Sequence, residues 1–437
     1  MINDRISINA IKNEKSNKVV KLAGWIKSKN IFKNLIILNV VDVSGEIQAI
    51  AKPENMNRDS YNKLKNLMEE SCIIICGNYK SNKKEIEIHK LDVIAGATKT
   101  LSPKPRMPFD IFNEKYVDNV QSNKHIYLRN EKIVAVLKLR SKFIFATREF
   151  FEKNNFFEFT APILTNITLY DKSTAFSIDF YDKKLYLTQC AAFYLETAVA
   201  ALEKVYFICP SFRDEKSRTK KHLSEYWHLK GEIAFYNLED MMKFVEKMLY
   251  DIAKKLEITG KEELKVLGSP LNLRQIKPPF KVVTYSEAIK ILNKNGFDIE
   301  WGKSLGNDEE IFLGDYFKKP FWVKYLPRNL ESFPYRINPA DERTTLVADL
   351  IVPKYGEILG AAEKIYQKHE LLRRMKEDFI PHPLKTYKWF VDLRDMGLPP
   401  HSGFGMGVER VLRWFLKLSH VRDAIPYPRT CSRAPYP

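Results

Sequence analysis

FICPSFRDEKSRTKKHLSEYWHLKGEIAF, residues 207–235, is two apolar runs separated by a strongly basic segment. Its aromatic and β-branched content predicts two strands, and the charged stretch between them predicts a hairpin with a cationic tip. Arg213 falls at the end of the first strand, where its guanidinium could hold a phosphate bidentately. Glu215, two residues on, faces the same side and could accept from an adenine amino group. Arg218 and His222 could meet the outer phosphates of a nucleotide. The same pattern also fits a solvated turn, so the hairpin alone leaves both readings open.

Two further segments widen the choice. HSGFGMGVERVLRWFLKL, residues 401–418, sets Gly403, Gly405 and Gly407 ahead of an amphipathic helix starting near Val408, with Glu409 and Arg410 in its first turn. Glycines let a backbone approach a ligand closely, although the spacing is not that of a dinucleotide fingerprint and also suits a glycine strand packed on a helix. VADLIVPKYGEILGAAEK, residues 347–364, reads as strand, turn and strand with acids at Asp349 and Glu357. A magnesium ion bridging phosphates needs one or two such carboxylates from protein. Paired acids on a hairpin are equally a surface pattern.

Around these segments the chain reads as a small β domain at 1–100, a linker at 101–130 and a large domain at 131–437. VVKLAGWI, NLIILNVVDVSGEIQAI, CIIICGNY and IEIHKLDVIA are short apolar runs at the spacing of a small barrel. Pro103, Pro105 and Pro108 stiffen the stretch after them. KIVAVLKLRSKFIFATREFFEKNNF and EDMMKFVEKMLYDIAKKL carry apolar residues at helical spacing.

With 437 residues and a net charge of +17, the chain is long enough for two cores and suited to a polyanionic partner, or simply to a lysine-rich surface. No apolar run is long enough to cross a bilayer and the N-terminus lacks the apolar stretch of a signal peptide, so a cytoplasmic location and no membrane partner are expected. Five cysteines without CxxC pairs support neither a disulfide framework nor a zinc site.

Taken together and in this order, the three segments resemble motif 2, the metal-binding strand region and motif 3 of class II aminoacyl-tRNA synthetases. The resemblance implies an α+β fold: an N-terminal OB-fold β-barrel and a catalytic domain whose antiparallel sheet is flanked by helices. It implies ATP as substrate, Mg²⁺ as cofactor, and catalysis by Arg213 on the α-phosphate and Arg410 over the adenine and γ-phosphate. Glu215 would meet adenine and Tyr226 would stack under it, with Asp214, Arg218, Lys221, His222, Leu223, Glu357, Gly407, Val408 and Glu409 completing the ATP site. Glu357 and Asp349 would be the metal ligands. PILT with Pro162 resembles motif 1, which in the family builds a homodimer interface.

SGFGMGVERVL and HVRDAIPYPRT resemble the archaeal-type asparaginyl enzymes, with aspartyl enzymes as nearest relatives. The resemblance implies asparagine as the amino acid and tRNA as the acceptor. GWIKSK followed by LIILNVVDVSGEIQAI resembles their anticodon-binding barrel, in which Trp25, Phe32 and Gln48 would meet nucleic acid. Several positions depart from the family pattern. Lys230 stands where an acid meets the substrate ammonium, Lys364 replaces an arginine, and Ala192 replaces a glutamine in the segment that begins near Gln189. Gly360 opens Gly-Ala-Ala in place of Gly-Gly-Ser, and Tyr170-Asp171-Lys172 replaces a Glu-Gly-Gly loop. Ile37 and Val41 replace a stacking aromatic and an arginine in the barrel. These departures raise an alternative: a paralogue that activates a different carboxylate, or forms an amide without tRNA.

Overall fold

In the computed structural model, residues 4–99, 110–168, 172–216, 219–380, 383–431 and 433 are described. The chain divides into two compact units, Met1–Phe109 and Asp110–Pro437.

In the first unit, strands β1 (Lys18–Phe32), β2 (Leu35–Asp42), β3 (Gly45–Ala51), β4 (Cys72–Lys80) and β5 (Glu85–Ala95) close a barrel in the order β1-β2-β3-β5-β4. Strict alternation drives this closure: Ile36, Leu38 and Val40 of β2 point into an apolar centre with Ile47 and Ala49, while Asn39 and Gln48 pair on the outer face. At Gly77 a Cβ would lie 2.1 Å from the Glu87 carbonyl oxygen, so only glycine permits the close crossing of β4 and β5. Trp25 and Phe32 are 38% and 56% exposed. Ile37 and Val41 lie in the β1–β2 ladder opposite Asn30 and Trp25.

The second unit is built on an eight-stranded sheet. Its strands are β6 (Phe157–Glu158), β10 (Lys204–Phe212), β11 (Glu225–Ala234), β12 (Lys281–Thr284), β13 (Phe321–Lys324), β14 (Val347–Val352), β15 (Gly356–Glu363) and β16 (His401–Gly407), in the order β12-β13-β14-β15-β16-β11-β10-β6. All neighbours from β13 to β10 run antiparallel. β7 (Leu164–Thr165), β8 (Ser177–Phe180) and β9 (Lys183–Leu187) form a small separate sheet. The helices that matter below are α1 (Glu131–Lys153), α2 (Ala192–Leu202), α3 (Leu238–Thr259), α4 (Asn307–Phe317) and α5 (Val408–Phe415).

Helices α1 and α3 bury their apolar faces on one side of this sheet. α3 starts with a capping box, Asn237 accepting from the Asp240 N–H while Asp240 returns a bond to the Asn237 N–H. Phe151 of α1 is fully buried and stacks on Tyr206 of β10 at a centroid distance of 4.2 Å. Phe404 of β16 lies parallel at 6.4 Å, so the aromatic stack ties the helix to two strands.

Residues 110–130, expected as part of a linker, are instead largely helical. Glu114–Tyr116, Val117–Ser122 and Lys124–Tyr127 form short helices within the second unit, with Val120 and Tyr127 buried. Arg422 and Arg433 from the C-terminal segment bind Glu114 and Asp118. The stiffness inferred from the three prolines does not carry past residue 110, where acidic side chains find arginines more than 300 positions away. Residues 100–109, with those prolines, lie outside the described residues.

Because Phe151 has no slack around it, Phe151→Ala should destabilise the second unit by about 3–5 kcal/mol. The denaturant midpoint of that unit's unfolding transition measures it, and an unchanged midpoint would place the stack outside the stabilising core.

Candidate active site

A cavity of about 240 Å³ opens on the face of the sheet opposite α1 and α3, across β11, β16, β15 and β14. Its floor follows from register. Lys230 of β11 pairs with Gly405 of β16, Gly405 with Gly360 of β15, and Gly360 with Asp349 of β14. One row over, Glu232 pairs with Gly403 and Gly403 with Ala362. Directly paired residues project to the same face, so the glycines leave a hollow between the long side chains at either edge. A Cβ at Gly403 would stand 2.2 Å from the Glu232 carboxylate, and one at Gly405 2.9 Å from Lys230 Cε.

At one end the charged groups are arranged around Glu357. Arg410, in the first turn of α5, places Nη1 at 3.0 Å from Glu357 Oε2 and donates to the carbonyls of Lys221 and Glu357. Burial alone would raise the Glu357 carboxyl, but Arg410, Lys221 and Arg213 hold it at about 2, so it is ionised at neutral pH. His222 is pushed down to about 4 by burial and by Arg410, Lys221 and Arg213, so it stands neutral among the cations. Arg213 follows β10, with its N–H donating to the Ser224 carbonyl, its guanidinium 5.8 Å from the Tyr226 ring and Nη1 at 3.8 Å from Glu215 Oε1. The Tyr226 hydroxyl donates to the Gln189 carbonyl at 3.4 Å.

The middle of the cavity holds carboxyls that repel one another. Asp349 is raised well above its usual range by burial and by Glu357, Glu331 and Glu310. Glu331 is raised to about 8 by burial and by Glu357.

At the far end Lys364 Nζ sits 3.6 Å from Glu232 Oε1, 3.8 Å from Glu196 Oε1 and 4.5 Å from the centre of the Tyr335 ring. Glu196, on α2 and fully buried, takes a 2.8 Å contact from Arg394 and a 3.4 Å contact from His401. Lys230, nearly buried, donates to Cys190 Sγ at 2.8 Å.

The structure brings Arg213, Lys221, His222, Leu223, Tyr226, Lys230, Asp349, Glu357, Gly360, Lys364, Gly407, Glu409 and Arg410 onto one cavity wall. Glu215 instead lines a small neighbouring depression with Arg213 and His222. The Asp214 N–H donates to the Thr174 carbonyl, and Val408 belongs to the apolar core. Glu409 reaches the wall, yet its carboxylate accepts from the Trp227 N–H at 3.0 Å and pairs with Arg140 at 2.7 Å, fixing α5 against β11. Gln189 and Ala192 lie behind the wall. Gln189 donates to Thr174 Oγ1 at 2.9 Å, and Ala192 packs with Cys190 and Phe193 in a separate apolar cluster. Arg218, Tyr170 and Asp171 lie outside the described residues.

Sequence reasoning passed over Glu232, Glu331, Glu310, Glu196, Arg394 and His401. Glu232 alone carried a signal, standing two residues after Lys230 on the same strand face. The others lie on α2, α4, β16, the short 3-10 helix Leu393–Met396 or a loop, outside the residues singled out in the three segments.

Comparison with known proteins sharpens this picture. Residues 117–431 match the family of class II tRNA synthetases (D, K and N), and residues 20–94 match the OB-fold nucleic acid binding domain. The chain belongs to the class II tRNA synthetases of the D, K and N group. Within it, the chain is 36% identical to the asparagine–tRNA ligase of Pyrococcus horikoshii, covering 98% of this chain and 99% of that one, and 34% identical to that of Thermoplasma acidophilum, covering 95% and 96%. The solved asparaginyl-tRNA synthetase of P. horikoshii in complex with asparaginyl-adenylate superposes with a TM-score of 0.93 at 34% identity over the whole of both chains. An asparaginyl-tRNA synthetase from Entamoeba histolytica gives 0.86 at 27% identity, covering 98% of each chain.

The raised carboxyl of Glu331 yields a pH prediction. Its proton is retained up to about 8 in the folded chain and leaves near the ordinary carboxyl range on unfolding, so this group lowers stability as pH rises between those values. Glu331→Gln should therefore match the parent below that window and become progressively more stable than it towards pH 8, measured by thermal unfolding without nucleotide or magnesium. A difference independent of pH would remove the assignment.

Proposed function

We propose that the chain ligates asparagine to tRNA in two steps on this cavity: an asparaginyl-adenylate forms from ATP, and the acyl group then passes to the tRNA 3′ end. The observation that carries the reading is the convergence of Arg213, Tyr226, Glu357 and Arg410 on one cavity in a chain matching asparagine–tRNA ligases over nearly its full length. A carboxylate oxygen of asparagine attacks the α-phosphorus and pyrophosphate leaves. Arg213 neutralises charge on the α-phosphate and Arg410 on the γ-phosphate, while Tyr226 stacks under adenine and Glu215 accepts from its amino group. Fixed cations of this kind need no reorganisation at the moment of reaction, which is where their catalytic value lies.

Magnesium fits the donor set. Glu357 is ionised, and Asp349 and Glu331, raised by burial and then by the carboxylates beside them, are crowded acids whose repulsion a divalent cation would relieve. Glu357 and Asp349 would hold it, and when bound it neutralises phosphate charge.

Asparagine is favoured over another carboxylate because the full-length relatives are asparagine ligases, although Lys230 adds a cation to the amino-acid end. There Glu232 and Lys364 would read the amino acid, and His401 and Arg394 would hold Glu196 in place. Residues 1–100 would bind the anticodon through Trp25, Phe32 and Gln48, and residues 131–437 would carry catalysis. Phe145 of α1 and Phe157 of β6, 68% and 54% exposed in the single chain, suit a homodimer built around the PILT segment. Translation places the enzyme in the cytoplasm, and among the described residues no helix is long and apolar enough to cross a membrane.

Asparagine-dependent ATP–pyrophosphate exchange is the deciding assay, run against a panel of other amino and carboxylic acids with and without tRNA. Arg213→Ala should lower the exchange rate about 10²–10³-fold while leaving the melting temperature near the parent's, and parent-like exchange would overturn the phosphate role. In the barrel, Phe32→Ala should weaken tRNA binding by about 1–3 kcal/mol and leave exchange without tRNA untouched. A filter-binding titration decides it, and equal affinity would move the anticodon contact elsewhere.

A further inference from the structure

Glu310 lies on α4, outside the segments that carry the ATP-site residues, and its side chain is only 7% exposed. Both of its carboxylate oxygens meet Lys221 Nζ, at 2.8 and 2.7 Å, and Oε2 also accepts from the Glu357 N–H at 2.9 Å. Lys221 belongs to the loop between β10 and β11, and its carbonyl accepts from Arg410 Nε. Arg410 in turn pairs with the Glu357 carboxylate. The four residues thus close a ring, Lys221–Glu310–Glu357–Arg410–Lys221, that joins a loop, two helices and a strand.

The backbone is shaped to let Glu310 in. Gly356 has φ +75°, and a Cβ there would stand 2.3 Å from Glu310 Oε2. Gly314, one turn further along α4, leaves room for Pro353, whose Cα would be 2.9 Å from a Cβ at that position. Two glycines therefore allow α4 to press against the β14–β15 turn and present one carboxylate under the turn's first strand residues. Burying a lysine and a glutamate together is costly unless geometry is good and the remaining donors and acceptors are used, and here three hydrogen bonds use them.

We propose that Glu310 is a positioning residue for the nucleotide: it holds Lys221 and the Glu357 backbone so that Arg410 and the Glu357 carboxylate stand ready for the triphosphate. This rests on the reading of the cavity as an ATP site. Glu310 acts through its neighbours and touches no reacting atom. Its loss removes preorganisation at the phosphate end and leaves the amino-acid end, built on Glu232, Lys364 and Glu196, as it was.

The test uses the full chain with Glu310→Gln, Lys221→Met and the double variant. Glutamine keeps the shape and can still accept from the Glu357 N–H, so it removes the ion pair selectively. Binding of ATP with magnesium is measured by titration calorimetry, and KM for ATP and for asparagine by pyrophosphate exchange. Each single variant should weaken ATP binding about fivefold or more, the double variant should be no worse than about twice the weaker single one, and KM for asparagine should hold. Parent-like or tighter ATP binding in Glu310→Gln, additive losses in the double variant, or an equal rise in both KM values would each overturn the proposal. If the parent chain itself binds no ATP, the reading of the cavity falls and the proposal with it; if the parent binds and the variants match it, the proposal falls alone.

Discussion

An ionised carboxylate at Glu357, held against burial by three cations, is the interaction on which the phosphate end of the cavity depends. Glu357 is half-buried, and without partners its charge would be costly to hold there. Arg410 comes from α5, Arg213 from the end of β10 and Lys221 from the loop that follows, so one charge draws together elements distant in sequence. The cost of assembling these cations is met partly by Glu357 and partly by Glu310. The remaining positive charge faces the place where a triphosphate would lie.

The sheet makes that arrangement possible by withholding side chains. Gly405 and Gly360 sit in register on adjacent strands with Gly403 two residues along β16; a Cβ at Gly403 or Gly405 would collide with a neighbouring charged side chain, and one at Gly360 would crowd Asp349 Oδ1 at 3.0 Å. A glycine strand is ordinarily weak, since it buries nothing and is entropically costly to order. Here β16 lies between β11 and β15, and its alternate residues Phe404 and Met406 pack into the core on the opposite face. The period of two therefore divides the strand's labour: one face supplies packing, the other supplies space.

That period explains what could be read from the sequence. The hairpin of residues 207–235, the glycine strand before α5 and the paired acids of β14 and β15 were legible because each lies within a continuous segment whose residue types and spacing carry the chemistry. So was the barrel, whose strands alternate in β2 and β3. The segment at 110–130 was not, because its short helices are placed by burial of Val120 and Tyr127 and by ion pairs to Arg422 and Arg433, contacts no local pattern announces. Glu310 escaped for the same reason: an acid in the first turn of a helix is ordinary, and only the approach of α4 to Gly356 makes it an internal ligand. Ala192 stood out by its departure from the family pattern, yet the fold turns it into an apolar cluster. Departure in sequence and presence at the site are separate facts.

Lys230 is one of the departures that do reach the cavity, with Lys364 and Gly360, and its surroundings bear on how an amino acid could be accepted beside it. Its amine donates to Cys190 Sγ, and Glu232 projects from the same strand face two residues on. Glu232 is raised by burial even though Lys364 and Lys230 oppose the shift, so its negative charge is the one the buried cluster holds most reluctantly. An ammonium arriving there would stabilise that charge, while Lys230 would work against the same ammonium. The balance between Glu232 and Lys230, one strand period apart, sets whether the amino-acid end attracts or repels a free α-amino group. The ATP end shares β11 with this pair through Tyr226, but its charges close a separate ring through Glu357, Arg410, Lys221 and Glu310.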